Sequence, residues 1–180
     1  MKYEVGGFWN VNADGVAAGL IDTPQHRHNV GYVNDPTDPG GETKFGVAAN
    51  ANPDLDITTL DWPGAQRAYF RRYWLTAHCD QLSPRIAVLQ FDAAVNNGVG
   101  RAIKFLQAAV NVTADGDLGP ATLAAVQAMP ELTLCDRICN IRATFYHSIV
   151  QGNPSQSKYL NGWLSRVECM RAFVKSNSFQ

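Results

Sequence analysis

Between Gly31 and Val47 the chain reads Gly-Tyr-Val-Asn-Asp-Pro-Thr-Asp-Pro-Gly-Gly-Glu-Thr-Lys-Phe-Gly-Val. Asp35, Asp38 and Glu42 place carboxyl groups, and Thr43 a hydroxyl, in one segment too polar to serve a core. Carboxyls at this density can divide the work of a proton donor and of a base. Each proline holds the residue before it in extended or turn geometry, and Gly40-Gly41 supplies backbone angles that other residues avoid. A single Asp-Pro is usually just a turn maker; the concentration of acids, prolines and glycines here marks a site.

The elements that must position this loop are mostly helical. Asp61 is a natural N-cap with Pro63 in the first turn after it, and Ala65, Ala68, Tyr69, Tyr73 and Trp74 recur at helical spacing. Pro84 to Asn97 predicts a buried helix carrying Asp92, Asn96 and Asn97, polar groups that require partners. Gly98-Val99-Gly100 breaks it, and Arg101 to Val110 begins the next. Asp115-Gly116 supplies a turn, Pro120 opens a further helix, and Leu134–Val150 and Lys158–Val174 are helical patterns separated by Gly152-Asn153-Pro154-Ser155. Met1 to Arg27 has Gly6-Gly7, Gly15, Gly19 and Pro24 with no sustained period, which predicts loops, short strands or one weak helix. The expectation is a mainly α protein with a small irregular lobe reaching to about Asp56.

The polar run resembles the signature of the phage and bacterial muramidases of glycoside hydrolase family 108: His-Glu-Gly-Gly-Tyr, Asn-Asp-Pro, Asp-Pro-Gly-Gly-x-Thr and an aromatic-Gly pair. Further stretches are similar to that family: Tyr69-Phe70-Arg71-Arg72-Tyr73-Trp74, the helix segment Phe91 to Gly98, and the closing segments around Phe145-Tyr146 and Trp163. The Asp115-Gly116-Asp117-Leu118-Gly119-Pro120 turn resembles the family's peptidoglycan-binding-like segment. The resemblance implies a lysozyme-like two-lobed helical fold. It implies a divergent segment 1–28, a muramidase-like region 29–100, and peptidoglycan-binding-like and closing helices over 101–175, within one compact domain. The activity implied is hydrolysis of peptidoglycan between N-acetylmuramic acid and N-acetylglucosamine, in phage lysis or cell-wall penetration.

By the same resemblance Asp38 is the base or electrostatic stabiliser and Thr43 orients the attacking water. Asn29, Tyr32, Asn34, Asp35, Asn96 and Asn97 are the substrate-binding candidates. The family's proton donor precedes Gly-Gly-Tyr, but this chain has His28-Asn29-Val30-Gly31-Tyr32, and an amide cannot act as a general acid. Glu42, in the same loop, is the first candidate to take that role; Glu4 and Asp22 are the candidates from the N-terminal segment. A chain that binds peptidoglycan without cutting it, as a wall-binding or virion structural protein, is the alternative. His26 and His28 read as surface or hydrogen-bonding groups.

At 180 residues, 46% hydrophobic, the chain can bury a substantial core, and its net charge of −1 gives no electrostatic case for nucleic acid or a membrane surface. Arg67, Arg71 and Arg72 read as a solvated helix face, with an anionic cell-wall polymer as the other reading. No stretch approaches the ~20 apolar residues that span a bilayer, and the first residues lack an apolar signal core. The expected locale is the host cytoplasm, with action on the wall after holin release or within a virion. Cys79, Cys135, Cys139 and Cys169 lie mostly in apolar helical patterns and are expected as reduced core thiols. Cys135 and Cys139 lack matching ligands for zinc, and Asp115 and Asp117 lack the later ligands of a calcium loop, so no metal or other cofactor is expected.

Overall fold

A computed structural model describes residues 31–34 and 41–176, which divide between two compact units, Met1–Arg72 and Tyr73–Gln180. The protein is mainly α, as expected, with one two-stranded sheet among the described residues.

In the first unit β1 (Thr43–Lys44) pairs antiparallel with β2 (Val47–Ala48), Thr43 opposite Ala48 and Lys44 opposite Val47. The loop between them is Phe45-Gly46, with φ of 52° and 76°, so the aromatic-Gly pair of the signature is a two-residue hairpin turn of the mirror-image type that suits strand twist. A phenylalanine at positive φ is strained, and its surroundings hold it there. Its ring is buried edge-on against Trp62 at 5.7 Å, and its carbonyl accepts the Tyr69 hydroxyl at 3.3 Å. A 3-10 turn (Ala49–Ala51) follows β2, and α1 spans Trp62–Tyr69. Asp61 caps α1 as its sequence predicts, accepting from the Gly64 N–H at 2.7 Å, with Pro63 in the first turn where its missing N–H costs nothing.

The aromatic run after Tyr69 departs from expectation. Phe70–Trp74 winds as a π-helix rather than continuing the α-helical repeat. A π-turn inserts a residue, so Tyr73 no longer falls one α-turn above Tyr69. Tyr69 is buried and Phe70 exposed.

The second unit is a stack of helices: α2 (Pro84–Asn97), α3 (Val99–Ala109), α4 (Pro120–Ala128), α5 (Glu131–Gly152) and α6 (Ser157–Lys175). α5 packs along α6 and against α2 and α3, while α2 and α3 pack on each other. Their apolar stripes form one core that includes Leu89, Leu106, Ile138, Val167 and Met170. Gly98, at φ 83°, makes the break between α2 and α3, and Gly116, at φ 91°, makes the Asp-Gly turn. That turn is knitted by Gln107, whose amide donates to Asp115 Oδ1 (2.6 Å) and Asp117 O (2.9 Å) and whose oxygen accepts from Gly116 N (2.9 Å).

Asp92 finds the partners it requires. Its carboxylate lies 2.6 Å from Arg142 Nη1 and 2.7 Å from Arg166 Nη2, and neither Asp92 nor Arg142 has any exposed side-chain surface. Cys79, Cys135 and Cys139 are buried free thiols, and burial pushes them up to about 12, 12 and 11. Cys169 is exposed, which corrects its assignment to the core: on α6 it falls outside the buried stripe of Val167, Met170 and Val174.

Candidate active site

The described part of the polar loop is closed at its base by one backbone pair. Val33 N–H donates to Thr43 O at 2.7 Å and Thr43 N–H to Val33 O at 2.8 Å, extending the hairpin by a third strand position. Antiparallel register then sets Asn34 opposite Glu42 and Tyr32 opposite Lys44, on the face away from Val33 and Thr43. The pair therefore brings the backbone of Tyr32–Asn34 beside that of Glu42–Lys44 at the mouth of one loop, with Tyr32, Asn34 and Glu42 on one face and Thr43 on the other. Asp35, Asp38 and Asn29 lie outside the described residues, as do Glu4, Asp22, His26 and His28.

Several local features give this mouth a fixed shape. Gly41 has φ 71°, a conformation that a side chain would strain, in line with the Gly-Gly pair of the sequence. Glu42 is half-buried, and its carbonyl accepts the Ala49 N–H at 2.8 Å, tying it to the start of the 3-10 turn. The Thr43 hydroxyl donates to Gly41 O at 3.3 Å. Having spent its one proton there, it is left as an acceptor, the polarity needed to take a hydrogen from a water.

Sequence reasoning passed over Lys44. It is only 6% exposed, and its ammonium donates to Thr58 O at 3.0 Å, which fastens the hairpin to the loop before α1. The signal was available: a lysine beside a buried aromatic in a hairpin must either be paired or reach water. Thr58 is in turn fixed by Asp56, whose Oδ1 accepts from the Thr58 N–H (3.0 Å) and hydroxyl (2.7 Å). The Thr58 hydroxyl, then that of Thr59, holds the Asp56 carboxyl below its ordinary range.

Asn96 and Asn97 close α2 in the second unit, and each has a structural engagement. Asn96 Nδ2 donates to Asp92 O at 2.7 Å, and Asn97 Oδ1 accepts the Tyr146 hydroxyl at 3.2 Å. These bonds leave Asn96 Oδ1 and Asn97 Nδ2 as the amide atoms available to a ligand. Trp74 packs edge-on against Phe91 at 5.6 Å, in keeping with a packing role. Among the described residues no group of acidic, His and Cys side chains gathers in a form that could hold a metal, and no helix is long and apolar enough to cross a membrane.

Residues 26–98 match the family model described as Glycosyl hydrolase 108, which takes in the loop, its hairpin and α1 through α2. Residues 101–168 match the model described as Predicted Peptidoglycan domain, covering the Gln107-knitted turn and most of the helical stack. No curated protein matches the chain. Among solved structures, that titled "Structure of Brucella abortus SagA" is similar with a TM-score of 0.68 and 31% identity, over 82% of this chain and 90% of that one. The lysozyme-like helical fold expected from the signature is thus shared by a relative along nearly its whole length. Together these matches relate the chain to peptidoglycan, and it belongs to the glycosyl hydrolase 108 family.

Proposed function

We propose that the protein is a muramidase that hydrolyses the glycan of peptidoglycan between N-acetylmuramic acid and N-acetylglucosamine. The observation that carries this reading is the Val33–Thr43 pair, which sets Tyr32–Asn34 beside Glu42–Lys44 at the neck of a loop that also contains Asp35 and Asp38. In this reading Asp38 serves as base or electrostatic stabiliser and Thr43 accepts a hydrogen from the attacking water. Asn29, Tyr32, Asn34, Asp35, Asn96 and Asn97 contact sugar. Delivery to the wall after holin release in phage lysis, or within a virion, fits the same activity.

The acid must approach the glycosidic oxygen from the side opposite the base. In this reading Glu42, at the neck of the loop that the Val33–Thr43 pair closes, takes the general-acid role, with Glu4 and Asp22 as the alternative donors.

The test is release of new reducing ends from purified sacculi, run beside an active family enzyme. Glu42→Gln should lower turnover by at least ~100-fold. Near-normal turnover in a well-folded Glu42→Gln protein would move the acid to Glu4 or Asp22. Binding to sacculi with no reducing ends from the parent protein at any pH would instead support the non-catalytic wall-binding reading that Asn29 suggests.

A further inference from the structure

In the first unit, the loop before α1 and the outer face of that helix enclose a pocket of about 320 Å³. Leu55, Leu60 and Ala68 contribute apolar lining, and the charged lining is balanced, Asp54, Asp56 and Asp61 against Arg67, Arg71 and Arg72. Most of these charges are already engaged. Arg72 bonds the Asp54 carboxylate and donates to Ala51 O at 3.3 Å; Asp61 caps α1 and lies 3.9 Å from Arg67.

Two groups are left over. Arg71 forms no hydrogen bond or ion pair with any described residue. Asp56 uses Oδ1 for the Thr58 and Thr59 bonds, while its Oδ2 has no described partner, and those bonds keep the carboxyl ionised. A simple anion in this pocket would face the aspartates as well as Arg71, and a simple cation would face the arginines as well as Asp56. A ligand carrying both signs on a short aliphatic frame satisfies both leftovers and the apolar lining together.

We propose that this pocket binds the zwitterionic end of an amino acid, supplied by the free diamino-acid terminus of a peptidoglycan stem peptide. Arg71 takes its carboxylate and Asp56 its ammonium. The proposal rests on peptidoglycan being the substrate, and it adds recognition of the peptide to cleavage of the glycan. Stem peptides that reach this pocket would select peptide-bearing strands over bare ones.

The probe is the tripeptide L-Ala-γ-D-Glu-meso-diaminopimelate, titrated into the full-length protein with amide chemical shifts followed by NMR. Shifts should concentrate between Leu55 and Arg72. Acetylating the free amine of the diaminopimelate, or amidating its carboxylates, should weaken binding by ~10-fold or more. Arg71→Gln and Asp56→Asn, both nearly isosteric, should each weaken the tripeptide similarly, and Asp56→Asn should cost the acetylated peptide nothing further. Free diaminopimelate should bind more weakly than the tripeptide; tighter binding of the free amino acid would overturn the stem-peptide assignment. Absence of saturable shifts, or unchanged affinity in both folded variants, would overturn the site. Reducing-end release by the same preparations separates the two readings: hydrolysis without peptide binding removes only the pocket, and peptide binding without hydrolysis removes only the glycosidase.

Discussion

Asp-Arg pairs occur in both units with opposite burial. In the second unit Asp92 and Arg142 have no exposed side-chain surface, and Arg166 joins them 18% exposed. In the first, Asp61 and Arg67 are both about two-thirds exposed, 67% and 65%, and 3.9 Å apart. The same two side-chain types thus serve as a buried structural anchor in one place and as a rim of surface charge in the other. Water decides the difference, because it screens the outer pair and is excluded from the inner one. A charge that solvent would otherwise satisfy can be kept ready for a ligand, whereas a buried one must be committed when the chain folds.

The sharpest test of that contrast is Asp92→Ala. It leaves the fully buried Arg142 guanidinium without its carboxylate and removes one partner of Arg166. Loss of about 3–5 kcal/mol is expected, read as a fall in the denaturant midpoint at unchanged slope. Asp92→Ala/Arg142→Met should recover part of this, since the uncompensated charge goes with the second substitution. A cost under about 1 kcal/mol for the single change would break the comparison.

Gln107→Ala should rank next. Gln107 is 1% exposed and supplies both acceptor and donor to the turn before α4, so its loss strands the Gly116 N–H and leaves Asp117 O only its bond from the Gly119 N–H; about 1–3 kcal/mol is expected. The change also alters the acid limb. Asp115 is held below its ordinary value first by the Asp117 N–H and then by Gln107. A carboxyl depressed in the fold contributes stability above its unfolded value, near 4, and loses it as pH falls through the folded one. The midpoint of Gln107→Ala should therefore depend less steeply on pH below about 4 than that of the parent.

How much of this was legible in the sequence follows the same division. Asp61, Pro63, Pro84, Gly98 and Pro120 act through their own backbone, so the helix limits they set could be read locally, and the structure places those limits within a residue or two. Asp92 announced a need for partners, but not that Arg142 and Arg166, 50 and 74 positions away, would meet it. The π-turn at Phe70–Trp74 was invisible to a period count, because an inserted residue leaves the composition of the run unchanged. At the candidate site, the turn chemistry of Gly40-Gly41 was evident, whereas the hairpin turn at Phe45-Gly46 and the closure of the loop by Val33 and Thr43 depend on pairing between segments. The pocket beside α1 escaped notice for a related reason: Arg67, Arg71 and Arg72 look alike on a helix, and only their partners distinguish the one left over.

The smallest effect expected is that of Asp61→Ala, on the exposed side of the comparison. Its carboxylate performs two tasks, accepting the Gly64 N–H at 2.7 Å and facing Arg67 at 3.9 Å. An N-cap contributes about 1 kcal/mol, while an exposed pair at that separation contributes a few tenths at most. The cap should account for nearly all of the loss. Asp61→Asn, which keeps an acceptor at the cap but removes the charge, should recover most of the stability, and Arg67→Ala should change it by less than about 0.5 kcal/mol. Raising salt should leave the difference between Asp61→Ala and the parent almost untouched, since a short cap bond is not screened as a surface ion pair is. A deficit that shrinks with salt, or an asparagine as harmful as alanine, would show that charge pairing on this face contributes far more than its exposure predicts. In that case the Asp61–Arg67 pair would be a structural anchor like Asp92–Arg142.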